Sequence, residues 1–117
     1  MRKSFYLLFG SRRTPEDLAA MLAERLDFEF ESRESGYVGD YFIYSGLYAD
    51  ELTIEENRAG ALGDVKEPEF RQFPTLIRAY FISGRNADKR SKMRHMRCVL
   101  KRLGSIELLR ESEAQEP

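Results

Sequence analysis

Between Leu18 and Glu31 the hydrophobic period of this chain changes. Leu18, Met21, Leu22 and Leu26 recur at helical spacing, and then Phe28 and Phe30 alternate with Glu29 and Glu31. A chain that switches from a period of 3.6 to a period of 2 has to lay a helix stripe on one face of a sheet. The flanking residues agree. Thr14 offers a capping hydroxyl, Pro15 suits the first helical position, and Glu16 and Asp17 complement the positive helix end. Before them the apolar, aromatic run KSFYLLFG reads as a buried strand that stops at Gly10.

Period 2 continues through FEFES, YVGDYFIYSG and ELTIEEN, with Leu52 and Ile54 pointing inward in the last. RAGALGDVKEPEFRQFP, with two glycines and two prolines, reads as a long loop containing a short helical turn. TLIRAYFIS is the most hydrophobic run and reads as a central strand. In residues 88–103, Met93, Met96, Val99, Leu100 and Leu103 share one helical face, and Gly104 ends the helix. SIELLRE adds one last strand, and 111–117 reads as a frayed polar tail. The expected order is β-α-β-β-β-β-α-β. It implies an α+β fold with a mostly antiparallel sheet of about five to six strands and two helices on one face.

The 117 residues fit a single domain, 1–117, large enough to bury a core without disulfides or metals. Cys98 is the only cysteine, so no internal disulfide is possible. No apolar run approaches the ~18 residues that a membrane span needs, so no membrane association is expected. The basic start and short apolar run at the N-terminus lack the features of a signal peptide, and cytoplasmic residence is the default reading.

A net charge of −1 conceals an asymmetry. Residues 16–69 hold fifteen Asp or Glu against four Lys or Arg, whereas 85–102 hold eight Lys or Arg against one Asp. The cations Arg90, Arg94, Arg97 and Lys101 lie in a narrow arc on the helix face away from the methionines. Such a stripe can neutralise phosphates, and a nucleic-acid-binding regulator is one reading of it. The other is a solvated outer face on a core helix. A pI near 5.9 favours the second reading, as does the lack of helix-turn-helix, zinc-ligand and RNA-recognition signatures.

His95 and Cys98, three apart on that helix, have neither a third group to orient them nor a second histidine or cysteine to complete a metal site. No EF-hand spacing, phosphate-binding loop or nucleophile elbow occurs, so no catalytic residue, metal or cofactor is expected. The acids are interleaved with tyrosines instead. Carboxylates steer a basic partner, and tyrosines supply rigid contact area at protein interfaces. The candidate partner-binding residues are Glu29, Glu31, Glu34, Tyr37, Asp40, Tyr41, Tyr48, Asp50, Glu51, Glu55 and Glu56, of which strand parity allows only a subset to face one partner.

The opening SFYLLFGSRRTPEDLAAMLAERLDFEF, the acidic and aromatic middle, and the closing strand and helix together resemble small bacterial immunity proteins of polymorphic toxin systems, including contact-dependent growth inhibition. The resemblance covers most of the chain as a pattern and carries no individual residue across. It implies a non-enzymatic inhibitor that binds a cognate toxin domain, often a nuclease, in the cytoplasm. It further implies that binding blocks the toxin's active site or an essential surface.

Overall fold

The computed structural model describes residues 1–36, 39–59 and 63–116. The elements are β1 (Arg2–Ser11), α1 (Pro15–Leu26), β2 (Glu31–Ser35), β3 (Gly39–Tyr44), β4 (Glu51–Glu56), a 3-10 turn (Pro68–Phe70), β5 (Thr75–Phe81), α2 (Asn86–Arg102) and β6 (Ile106–Glu116). The strands form one six-stranded sheet in the order β2-β3-β4-β5-β1-β6, and each neighbouring pair is antiparallel. This is the α+β order that the periodicity predicts.

Strand register shows which side the helices cover. Phe5, Leu7 and Phe9 of β1 lie opposite Phe81, Ala79 and Ile77 of β5, and Leu52 and Ile54 of β4 continue the same face. These residues join Leu18 and Leu22 of α1 and Met93, Met96 and Leu100 of α2 in one core. α1 packs over β3 and β4, and α2 over β1, β5 and β6. Burial of this much apolar surface, at roughly 25 cal/mol per Å2, is the main stabilising term.

α1 starts as its sequence predicts. The Thr14 hydroxyl accepts from the Asp17 N–H at 3.1 Å, and Pro15 takes the first turn. It ends at Asp27, whose φ of 58° turns the chain left-handed. That turn changes the expected strand at FEFES. β2 begins only at Glu31, and Phe28 instead drops into the core, stacked on Tyr44 with ring centroids 4.0 Å apart. Gly10 permits another close approach, because a Cβ there would lie 2.6 Å from the Phe73 ring.

Two further features differ from expectation. Residues 111–116 are not a frayed tail. β6 runs to Glu116 and pairs along the whole of β1, with Arg2 opposite Glu116 and Lys3 bonded to Glu113 at 3.3 Å. Pro117 lies outside the described residues. The buried stripe of α2 also extends to Lys89, which is fully buried and donates its amine to the Lys3 carbonyl. Asn86 ties the same corner, accepting from the Lys3 N–H at 2.9 Å and donating to the Met1 carbonyl at 2.7 Å.

Candidate partner-binding surfaces

β2 is an outer strand of the sheet, and Glu31, Ser32, Arg33 and Glu34 are all exposed on it. Alternation sends Glu31 and Arg33 to the side away from the helices, where they pair at 2.9 Å. The Glu31 hydrogen bond and charge raise the Arg33 pKa above its ordinary value. Glu34 lies directly opposite Asp40 of β3, and both are exposed. Like charges in a cross-strand pair are destabilising. Glu29, in the connector before β2, is exposed as well. Residues 27–44 therefore carry five carboxylates with Arg33 as the single cation. A groove of about 510 Å3 along this edge is lined by Asp27, Glu29, Glu31, Phe30 and Ile43, among others.

The sheet side opposite the helices is half covered. Residues 63–74 fold over it, held by Asn57, which is only 5% exposed. The Asn57 amide donates to the carbonyls of Phe70 and Phe73, each at 3.1 Å, and its oxygen accepts from the Glu67 N–H at 2.8 Å. Under this segment Glu55 is buried, bonded to Lys66 at 2.5 Å and to Arg78 at 2.7 Å. The chain of charges continues from Arg78 to Glu67 at 3.8 Å and from Glu67 to Arg110 at 2.9 Å. Beyond the covering segment lies an open hollow of about 510 Å3, bounded by Arg33, Tyr41, Glu51, Thr53, Arg78 and Tyr80. Tyr6 meets Tyr80 edge-on at 5.6 Å. Burial pushes the Tyr80 phenol above its ordinary value, and Arg78 opposes that shift.

The remaining candidates lie apart. Asp50 accepts from the backbone N–H groups of Ile82 and Ser83 at 2.6 and 3.0 Å, so its carboxylate holds the turn after β5. Tyr48 sits on the helix side, stacked on His95 at 5.6 Å, above a groove of about 300 Å3 that includes Leu26, Phe28 and Val99. Glu56 ends β4 at the rim of a third hollow. Tyr37 falls outside the described residues. The acids and tyrosines thus do not share one surface. Glu29, Glu31, Glu34 and Asp40 gather at the β2–β3 edge, Tyr41 and Glu51 face the open hollow, and Glu55 is held inside the fold.

On α2, Arg97 pairs with Glu111 at 2.5 Å. Arg90 approaches Glu113 at 3.9 Å and lies over the Phe5 ring at 5.3 Å. Arg94 and Lys101 are exposed. Half of the basic stripe is therefore matched by acids of β6, in the segment that reads as a tail. Cys98 is exposed and the His95 ring lies on Tyr48. Among the described residues, no three or more His, Cys, Asp or Glu are placed to hold a metal ion, and no helix is long and apolar enough to cross a membrane.

The missed residues are Asn57, Lys66 and Lys89. Lys89 had a readable signal, since it precedes Met93 by four and Met96 by seven. Asn57 and Lys66 act through a loop closure that no local pattern encodes. Comparison with models of known families finds none that matches this chain, and comparison with curated protein sequences finds no match.

Proposed function

We infer that this chain is an immunity protein. It binds a cognate bacterial toxin domain in the cytoplasm and neutralises it by occluding its active site or an essential surface, without turning over a substrate. The observation that carries this reading is the exposed opposition of Glu34 and Asp40 in a hairpin edge with a single cation. Such an arrangement costs stability and gains long-range attraction for a basic surface. A nuclease domain has such a surface, because it must draw in a polyanion. Tyr41 lies on β3 of the same hairpin, opposite Arg33 and on the other side of the sheet from Glu34 and Asp40, and offers an amphipathic contact there. The competing reading, nucleic acid on Arg90, Arg94, Arg97 and Lys101, is weakened by the two arginines already engaged with Glu113 and Glu111.

The experiment is co-expression with candidate toxin domains, namely the variable C-terminal ends of large secreted proteins sought in the adjacent reading frames. Restored growth and a stoichiometric complex are expected. Continued killing with both proteins present and no complex would overturn the reading.

A further inference from the structure

Where β1 and β4 end and β5 begins, a hollow of about 380 Å3 is lined by Arg12, Arg13, Arg58 and Arg71. Glu56 is the one carboxylate in its wall. All four arginines are exposed, and among the described residues none makes an ion pair. Other arginines, namely Arg33, Arg78, Arg90, Arg97 and Arg110, each meet a carboxylate. Four arginines around one cavity repel one another, and Glu56 is the one carboxylate in the wall to offset them.

The backbone that carries them is fastened by buried polar side chains. Ser11, 1% exposed, accepts from the Arg13 N–H at 3.1 Å. Thr75, also 1% exposed, donates its hydroxyl to the Arg13 carbonyl at 2.6 Å. Asn57 precedes Arg58 and holds the carbonyls of Phe70 and Phe73, which bracket Arg71. Arg12 rests over the Phe73 ring at 5.8 Å. The backbone that carries the forks is thereby fixed before any ligand arrives, which lowers the entropy cost of binding.

We propose that this pocket binds a phosphate monoester. Guanidinium forks match phosphate oxygens in bidentate geometry. The wall carries four cations against one acid. A single carboxylate would leave most of that charge unbalanced. A phosphate monoester, nearly dianionic and with three acceptor oxygens, offsets more of it and engages several forks. α1 also begins here, but Glu16 and Asp17 already offset its positive end, so the arginines carry the recognition. The site lies apart from the β2–β3 edge and does not depend on the toxin reading.

The test is isothermal titration of the purified chain with adenosine 5′-monophosphate, inorganic phosphate and a hexaglutamate peptide. Saturable binding of the nucleotide below about 1 mM is expected, with inorganic phosphate competing for it. Inorganic phosphate binding as tightly as the nucleotide would identify the free ion as the source of the group. Tighter nucleotide binding would identify an esterified phosphate. In the double variant Arg13→Gln with Arg71→Gln, affinity should fall at least about tenfold. Lys101→Gln, on α2, should leave binding unchanged, and circular dichroism should show all variants folded. The proposal is overturned by no saturable binding up to about 10 mM, by binding retained in the double variant, or by hexaglutamate binding as tightly as the nucleotide. Any of these would leave the toxin-binding reading standing.

Discussion

Glu55 shows how one side chain changes meaning once the chain closes. The alternation in ELTIEEN places it on the wet side of β4, opposite Leu52 and Ile54, and that parity is correct. Residues 63–74 then cover that side, and Lys66 and Arg78 engage the carboxylate. Nothing local to β4 shows that a lysine eleven residues on will return. Removing the carboxylate leaves two cations facing each other. For Glu55→Ala we expect a loss of about 2–4 kcal/mol in urea unfolding, toward the low end because Arg78 is partly solvated. Tyr80, beside it, makes a pH prediction. Its phenol is held above 10.0 in the folded chain by burial. The unfolded chain therefore releases that proton first, so the contribution is complete below about pH 10 and is lost as pH rises beyond it. The urea midpoint should fall as pH rises beyond about 10, and that of Tyr80→Phe should fall less.

At the scale of elements, the helices were the most legible. Thr14, Pro15 and the stripe Leu18, Leu22 define α1, and Met93, Met96 and Leu100 define the buried side of α2. The two sheet edges were the least legible. Residues 111–116 are polar but for Ala114, because an edge strand needs only one neighbour and its outer row stays in water. The aromatic alternation of Phe28 and Phe30 misled for a different reason: the left-handed turn at Asp27 redirects Phe28 onto Tyr44 before pairing begins. The β2–β3 hairpin carries an element-scale prediction. Glu34→Gln removes the like-charge opposition with Asp40, and should raise stability by about 0.2–1 kcal/mol, or roughly 1–5 °C in Tm. The same substitution should slow capture of a basic partner. A hairpin that loses stability on this change would mean that Glu34 is there for the fold.

Across the whole molecule, strand order separates the charges. α2 packs over β5, β1 and β6, which lie three to five gaps of about 4.8 Å from β2 at the other edge, or about 14–24 Å. That distance exceeds the ~8 Å screening length at physiological salt, so the acidic hairpin and the basic helix act as independent patches. The sequence shows both charge blocks, but only the topology shows them apart, and only β6 shows how much of the helix is neutralised at home. A molecule so polarised turns its β2 edge toward a basic surface before contact.

The most direct test is the stopped-flow association rate between this chain and a basic toxin domain that it is found to neutralise, at about 25 and 250 mM salt, for the native chain and for Glu34→Lys with Asp40→Lys. The native rate should fall at least about tenfold with salt, and the charge-reversed chain should associate at least about tenfold more slowly at low salt. Equal rates for the two chains, flat across the salt range, would contradict an acidic hairpin that steers its partner.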